Sequence, residues 1–394
     1  MSRTTDARNF FQTDASESTR ARKAAKSGNR NGNPIVLQSK ILNAIQDPFS
    51  PSCIFVAESA GCVRKVNVET RDTKVIYRGP TAPVTTVAIG GEGGNTVFGG
   101  CWDKDIWSWD RDTKIASRRY KGHSDFVKSV ICARIGGNDC LISGGADSKI
   151  MVWNTKTGER LYTLRDKSET MMAIQDLTLD STKSSASEIT VVSSSSDPHI
   201  RRWRIGLEGA SQIIDSAEST NSAPTRATIL EHETSVYKVL FAGDDEDNDL
   251  WTASADGTAK CLARAKNWRT EETYEHGDYV RAVVVTSDWV VTAGRDEDVK
   301  VWDKATGKLW HVYEGHYDEI TALVLLGGEK QVVSVSIDGT VRTWGLTKAA
   351  LNKAIKEKDE KGKGVAKEKI QPKKSLLTAE EEAELADLMD SDKE

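Results

Sequence analysis

Three sets of residues have types that could hold a metal ion or a phosphate group. The acidic run DDEDND (244–249) offers oxygen ligands, but it lacks the Gly and the distal Glu of a twelve-residue calcium loop, which favours a solvated turn. The six Cys are scattered singly, without the CxxC or HxxxH spacing typical of zinc sites. The Gly-rich GGEGGN (90–95) joins two strand-like runs, whereas a phosphate-binding loop leads into a helix. We therefore predict that the chain holds no metal, nucleotide or other cofactor.

Ser or Thr, His and Asp recur together along the chain, and this combination activates a nucleophile in many hydrolases. A catalytic site would occur once, whereas this set returns at the same position of successive units. Buried polar groups need hydrogen-bond partners, and a repeated polar set supplies them. His199 and His311 stand outside the pattern, and we expect both to be ordinary surface or edge residues. The chain is therefore predicted not to be an enzyme, with a hydrolase as the open alternative.

The elements that carry these residues are repeated. Four segments share an Asp turn, alternating apolar residues and a Trp: DKDIWSWD (103–110), DSKIMVWN (147–154), DEDVKVWD (296–303) and DGTVRTWG (338–345). Three degenerate copies are AGCVRKVN (60–67), DPHIRRWR (197–204) and DGTAKCLA (256–263). The Trp position, or its replacement, recurs every 40 to 59 residues. This spacing is close to that of four-stranded propeller blades, so the sequence predicts an all-β propeller with seven blades.

The N-terminal strand is predicted to close the ring. Period-2 alternation bounded by Gly and Asn is typical of strands and turns, and helical periodicity is missing from 34–346. The last unit has no fourth strand of its own, while PIVLQSK (34–40) is a strand without a hairpin partner. We predict that 34–40 pairs with 340–345, because closure removes two exposed sheet edges.

These residues resemble the WD40-repeat family over roughly 34–346. The motifs that carry the resemblance are Trp109-Asp110, Trp302-Asp303, Trp153-Asn154, Trp344-Gly345, and Gly-His at 122–123 and 315–316. The resemblance implies a polar tetrad in each well-formed blade, in which His bonds the Asp of the turn and a hydroxyl and Trp complete the set. The implied tetrads are His123, Ser143, Asp147 and Trp153 in blade 3; His276, Thr292, Asp296 and Trp302 in blade 6; and His316, Ser334, Asp338 and Trp344 in blade 7.

Four blades depart from this pattern. Blade 5 keeps His232, Thr252 and Asp256 but has Leu262 in place of Trp. Blade 4 lacks the His, and blade 2 has Gly99 where the hydroxyl belongs. We expect blades 1, 2, 4 and 5 to be held more by apolar packing than by tetrads.

The resemblance also implies that partners bind the face formed by the loops before each first strand and by the Asp turns. Tyr, Trp and Arg dominate binding hot spots. The best patch is Tyr237, Tyr279, Arg281 and Arg295, suited to an acidic or aromatic peptide. Further residues expected on this face are Glu319, Trp102, Phe126 and Lys128. The alternative is that some of these rings only pack against a neighbouring blade.

The charge is distributed unevenly along the chain. The net charge is −5, but residues 1–33 hold seven Lys and Arg against three Asp and Glu, which leaves the central body acidic. A general nucleic-acid binder would normally show a basic face instead. Neither a membrane span nor a secretory signal is visible, and the single Cys residues favour reduced thiols. These features predict a cytoplasmic or nuclear protein that binds neither membranes nor a small-molecule substrate.

The two ends are predicted to lie outside the propeller. Residues 1–33 are expected to be a disordered basic tail, and 347–376 a charged linker that is helical or disordered. Residues 377–390 are expected to form a short acidic amphipathic helix with an apolar stripe of Leu385, Leu388 and Met389 that docks on another protein. The leading hypothesis is a non-enzymatic scaffold, subunit or adaptor of a larger complex. The alternative is a ribonucleoprotein or ribosome-assembly factor that uses its basic tails.

Overall fold

The computed structural model describes residues 14–166, 170–214, 227–242 and 248–369. In these ranges the chain forms 29 strands, arranged as seven antiparallel sheets. The chain divides into two units, 1–346 and 347–394. Neither described helix is long and apolar enough to cross a membrane.

Each sheet is one blade, and its strands follow one another from the centre of the ring outward. Numbered along the chain, the strands of blades 1 to 3 are β2 (Ile41–Gln46), β3 (Cys53–Glu58), β4 (Cys62–Asn67) and β5 (Val75–Arg78); β6 (Val84–Gly90), β7 (Thr96–Cys101), β8 (Ile106–Asp110) and β9 (Ala116–Tyr120); and β10 (Val127–Ile135), β11 (Asn138–Gly145), β12 (Ile150–Asn154) and β13 (Arg160–Leu164). Those of blades 4 and 5 are β14 (Ile174–Asp180), β15 (Glu188–Ser195), β16 (His199–Gly206), β17 (Ala210–Gln212) and β18 (Ile229–Leu230); and β19 (Val236–Ala242), β20 (Asp249–Ser254), β21 (Thr258–Ala263) and β22 (Arg269–Glu275). Those of blades 6 and 7 are β23 (Val280–Val285), β24 (Trp289–Gly294), β25 (Asp298–Asp303) and β26 (Leu309–Glu314); and β27 (Ile320–Leu326), β28 (Gln331–Ser336), β29 (Thr340–Gly345) and β1 (Ile35–Val36).

The ring closes as the sequence predicts. The first strand of each blade contacts the first strand of the next, and β27 contacts β2. The N-terminal strand completes blade 7, with Ile35 opposite Val341 and Val36 opposite Thr340. Only two of the residues 34–40 join this ladder, although the Leu37 N–H still donates to Gly339 O at 2.8 Å. The predicted all-β fold with seven blades and a closing N-terminal strand is therefore confirmed.

Apolar clusters between neighbouring blades form the core. Blades 1 and 2, for example, share a buried cluster that contains Phe55, Tyr77, Val84 and Trp109. The alternation of apolar and polar residues along each strand places these side chains between the sheets, where burial stabilises the ring by roughly 25 cal/mol per Å² of apolar surface.

Blade 4 has an interrupted outer strand. Both β17 and β18 pair with β16, one on either side of a polar insertion of which 215–226 lie outside the described residues. Of the acidic run 244–249, only 248 and 249 are described, and Asp249 begins β20.

The prediction of a disordered tail over 1–33 is wrong for the described part of that segment. Residues Asp14–Ser27 form a helix, α1, and residues up to Asn33 contact the propeller. Good helix formers such as Ala, Arg and Lys permit this helix, but it has no apolar stripe that would have revealed it in the sequence.

The segment after the propeller begins with a second helix, α2 (Lys348–Lys369). The side chain of Thr347 accepts a hydrogen bond from the Ala350 N–H at 3.2 Å, as a helix cap does. The predicted linker 347–376 is therefore helical over most of its length. The predicted helix over 377–390, with Leu385, Leu388 and Met389, lies outside the described residues.

Candidate functional site

The His and Asp residues of the repeat hold the loops of one face together. In blade 3, His123 Nδ1 lies 3.0 Å from Asp147 and His123 Nε2 lies 2.8 Å from Ser143, to which Trp153 Nε1 donates at 2.9 Å. Blades 6 and 7 repeat this arrangement with distances of 2.7–2.9 Å. Blade 5 has the same set without the Trp, with His232 2.7 Å from both Asp256 and Thr252.

The electrostatics of these sets match a structural role. Burial lowers the pKa of His316, which therefore stays neutral near pH 7. Burial alone would raise the pKa of Asp338, but hydrogen bonds from His316 and Thr340 bring that pKa below its usual range. The same balance lowers the pKa of Asp296 to about 2. In blades 3, 6 and 7 each hydroxyl is engaged by both His and Trp, so it is poorly placed to attack a substrate.

Blade 4 contains a buried ionic network, which the sequence did not predict, in addition to its apolar packing. Arg201 is fully buried and donates from Nε to Asp166 at 2.7 Å and from Nη1 to Asp197 and the Ser195 hydroxyl at 3.0 Å each. Trp203 Nε1 still donates to Ser193 at 2.8 Å. The Arg therefore ties the turn to the preceding loop, as His does in other blades.

The basic residue at this position is common to five blades, and the sequence analysis missed it. It stands four residues after the first residue of the turn segment. In blades 1, 4, 5 and 6 its partners lie in the loop before the blade or beside the turn, whereas in blade 7 Arg342 donates to Asn31 O of the N-terminal segment. The five residues are Arg64, Arg201, Lys260, Lys300 and Arg342. The same spacing occurs in DPHIR, DGTAK, DEDVK and DGTVR, so an alignment of the units to one another could have revealed the shared basic residue.

A cavity of about 350 Å³ lies at the centre of the ring. Trp102 and Ile337 line it, and each immediately precedes an Asp turn, so the cavity opens on the face that carries those turns. Five of the eight residues predicted for the binding face line this cavity: Trp102, Phe126, Lys128, Tyr237 and Arg281.

The aromatic residues of the cavity are paired but still open to solvent. Trp102 and Phe126 stack across blades 2 and 3, with ring centroids 5.0 Å apart and planes inclined by 16°. Their exposed fractions remain 45% and 37%. Arg281 lies over the ring of Tyr237 at 4.2 Å and pairs with Glu319 at 2.7 Å. These rings therefore pack on their neighbours and also remain accessible to a ligand.

Cations dominate the charged groups of the cavity wall. Lys128 donates to the Gln175 amide oxygen at 3.2 Å, whereas Lys238 pairs with Asp176 at 2.8 Å. Burial, together with the nearby Arg281, lowers the pKa of Lys128. A positive group that is partly desolvated beside a second positive group provides a site for an anion.

The remaining predicted residues lie elsewhere. Arg295 lies over the ring of Tyr279 at 5.0 Å, and these two residues are not among the cavity lining. His199 Nδ1 lies 2.9 Å from the Thr228 hydroxyl, and His311 is buried against Tyr313 in blade 6. Among the described residues, no group of three or more His, Cys, Asp or Glu has the geometry to hold a metal ion.

Two family models and several curated relatives match the chain. A model described as the tRNA methyltransferase TRM82 WD40 domain matches residues 117–276, and one described as WD domain, G-beta repeat matches 268–303 and 307–345. An uncharacterized WD repeat-containing protein of Schizosaccharomyces pombe is 31% identical, over 96% of this chain and 97% of its own length. Nuclear distribution protein nudF of Aspergillus niger is 25% identical over 73% of this chain and 56% of its own length. Cilia- and flagella-associated protein 52 of Macaca fascicularis is 26% identical over 63% of this chain and 38% of its own length.

Proposed function

The chain belongs to the WD-repeat family, and we propose that it is a non-enzymatic scaffold that binds a partner peptide at the mouth of the central cavity. The observation that carries the proposal is the convergence of Trp102, Phe126, Tyr237, Lys128 and Arg281 on one cavity. Aromatic and Arg side chains combine large contact area with planar or charged anchoring, which is the composition of a binding hot spot. A rigid ring presents them with little ordering cost.

The peptide that fits this cavity has an acidic residue beside an aromatic or flat apolar one. The acidic group would meet Lys128 and Arg281, and the flat side chain would lie against the exposed faces of Trp102 and Phe126. Glu319 already pairs with Arg281, so the incoming carboxylate would share or replace an existing contact. Exchange of one carboxylate for another avoids leaving Arg281 unpaired when no partner is bound.

A peptide-display selection on the full-length protein tests this proposal. Selected peptides should share an acidic residue next to an aromatic one, and Arg281→Glu should weaken their binding at least about tenfold. The matched control is Arg134→Glu, because Arg134 is an exposed Arg on the β10 strand away from the cavity lining. Equal affinity of both variants for the selected peptides, or a consensus without acidic residues, would show that the cavity is not the binding site.

The proposal extends to the segments beyond the propeller. The helix that the sequence predicts over 377–390 would carry an apolar stripe beside an acidic face, which suits docking into a groove of a second protein. A chain with two such surfaces would act as a subunit or adaptor in the cytoplasm or nucleus. Removal of 377–390 should abolish one set of partners while leaving the Arg281-dependent peptides bound.

One observation favours a second candidate function, association with an RNA-modifying complex. The family model that matches 117–276 is described as the WD40 domain of a tRNA methyltransferase. If the chain itself contacts RNA through the Lys-rich stretch 356–374, labelled tRNA should bind with an affinity that falls steeply with salt. Replacement of those Lys residues by Gln should flatten that salt dependence. An unchanged slope would assign any RNA association to a partner protein.

A further inference from the structure

The basic helix α1 contacts blades 6 and 7 through ion pairs. Arg22 Nη2 lies 2.8 Å and Lys26 Nζ lies 2.7 Å from the two carboxylate oxygens of Glu297. Lys23 Nζ lies 2.7 Å from Asp318. We refer to Glu297 and Asp318 as the acidic edge. The basic positions i, i+1 and i+4 of one helix face therefore match two carboxylates contributed by different blades.

Glu297 occupies a backbone position that the fold itself gives to glycine in other blades. Its φ is 73°, and the corresponding second residue of the turn is Gly61, Gly257 and Gly339 in blades 1, 5 and 7, with φ between 76° and 85°. Lys104 and Ser148 take the same conformation in blades 2 and 3. An L-residue with a side chain is strained there, whereas Gly is not. The turn therefore does not require Glu. Glu297 is nevertheless buried, with 2% of the residue exposed, and both of its described ion pairs come from α1.

The attachment of α1 is ionic rather than apolar. Of its described side chains, only Lys23 and Lys26 are partly buried, and the others are exposed. Ion pairs of this kind weaken as salt screens them, and an isolated helix of this length is marginal in water. The residues after the helix are held differently. The side chains of Asn29 and Asn31 donate hydrogen bonds to backbone carbonyl groups between blades 6 and 7, and Asn29 accepts one from Arg342. The helix can thus leave while the segment after it stays in place.

We propose that the acidic edge is a docking site for a basic helix and that α1 occupies it reversibly in cis. A partner helix with Arg or Lys at i, i+1 and i+4 fits the same two carboxylates and would displace α1. The site lies beside the cavity but is chemically opposite to it, since it selects a basic ligand. It therefore goes beyond the proposed peptide site and does not depend on it.

The first test uses Glu297→Gly in the full-length protein. This change removes the carboxylate and relieves the strained turn, so the thermal midpoint should stay the same or rise. Trypsin cleavage after Arg22, Lys23 and Lys26, followed by mass spectrometry, should become at least about tenfold faster, because cleavage follows the population of the released helix. The control is Glu233→Gln, which removes an exposed carboxylate from the loop before the first strand of blade 5.

Salt provides an internal check on the same measurement. Raising NaCl from about 0.05 M to about 0.5 M should speed cleavage of the wild-type helix and leave the Glu297→Gly rate nearly unchanged. If Glu297→Gly folds normally and is cleaved at the wild-type rate, Glu297 does not hold α1 and the proposal is overturned.

The second test asks whether the edge accepts a helix in trans. The full-length triple variant Arg22→Glu, Lys23→Glu and Lys26→Glu frees the edge, and a fluorescent peptide of residues 14–33 should bind it with an affinity in the high micromolar to about millimolar range. Wild type, whose edge is occupied, should bind the peptide at least about tenfold more weakly. Addition of Glu297→Gly to the triple variant should abolish binding. A peptide that binds regardless of Glu297, or a scrambled peptide that binds equally well, would contradict a docking site.

Discussion

Replacement of Arg201 by Met should destabilise the propeller strongly at neutral pH. The Arg201 side chain is 1% exposed and lies between Asp166 and Asp197, whose side chains are 0% and 8% exposed. Removal of one partner from a buried ion pair typically costs about 3–5 kcal/mol, because the remaining charge is left in a poorly solvated site. A whole domain has a stability of about 5–15 kcal/mol, so this single change should remove a large fraction of it. Followed by Trp fluorescence, the urea midpoint should fall by about 1 M.

The pH dependence distinguishes charge from packing. Burial would raise the pKa of Asp197, but hydrogen bonds from Met172 and Arg201 lower it in the wild-type protein. A lowered carboxyl pKa adds stability above the unfolded value near 4, and that stability is lost as pH falls. Without Arg201 the Asp197 carboxylate should take up a proton more readily, so the deficit of the variant should be largest at pH 7 and should shrink below about pH 5.

Two comparison variants complete the experiment. Arg201→Met combined with Asp197→Asn also removes the carboxylate that Arg201 holds at the turn and should recover about half of the lost free energy of unfolding. Arg204→Met changes an exposed Arg on the same strand and should alter stability by no more than about 0.5 kcal/mol. A deficit for Arg201→Met that is below about 1 kcal/mol, or that is independent of pH and insensitive to Asp197→Asn, would refute the ionic explanation.

Two further changes probe buried polar residues, Asp298 in blade 6 and Ser334 in blade 7. Burial raises the pKa of Asp298 to about 6, so protonation of this side chain favours the folded protein. The free energy of unfolding therefore falls as pH rises from the unfolded pKa near 4 through about 6. The charged groups that act on it are Asp296, Lys26, Glu314 and Lys300. Asp298→Asn should therefore raise the free energy of unfolding by about 1–3 kcal/mol at pH 8 and by much less at about pH 4, and an equal gain at both values would contradict this. The Ser334 hydroxyl lies 2.7 Å from His316 Nε2 and accepts from Trp344 Nε1 at 2.8 Å. Ser334→Ala leaves two buried groups unpaired and should cost about 2–4 kcal/mol in urea unfolding, against a negligible effect for Ser287→Ala on the surface.

The sequence was sufficient to predict the ring because its repeated signal is local. An Asp turn and a Trp strand specify one hairpin. Aligning the seven hairpins by these residues shows which neighbouring residues point to the same face. This spacing predicted Tyr237, Arg281 and Lys128 on one face, and the structure brings these three residues to one cavity, without Tyr279 and Arg295 of the predicted patch. The same spacing also led to the closing strand. It did not identify Lys238 and Asp176 as cavity residues, because each is the third residue of its first strand, one position beyond the one that Tyr237 and Lys128 occupy.

The features that escaped prediction depend on long-range pairing. The helix α1 has no apolar periodicity, and Glu297 follows it by more than 270 residues. Only the assembled ring brings that carboxylate within reach, so nothing local distinguishes the helix from a solvated tail. In blade 4 the missing His suggested that no polar side chain joins the turn to the preceding loop, whereas Arg201 makes this connection from a different strand position. A longer side chain can satisfy the same connection from elsewhere, which residue-by-residue matching to a motif does not detect.

Charge connects the two proposed sites. Asp318 of the acidic edge directly precedes Glu319, whose carboxylate pairs with Arg281 at the cavity. When α1 is docked, its three basic side chains offset the carboxylates beside the cavity, which favours an acidic peptide there. When α1 leaves, the same edge becomes negative and disfavours that peptide while it favours a basic helix. Because coupling between binding sites is reciprocal, an acidic peptide in the cavity should in turn retain α1 and slow its cleavage. Because the central body is acidic overall, we infer that the position of α1, rather than the net charge, sets whether a basic or an acidic partner binds this side of the face.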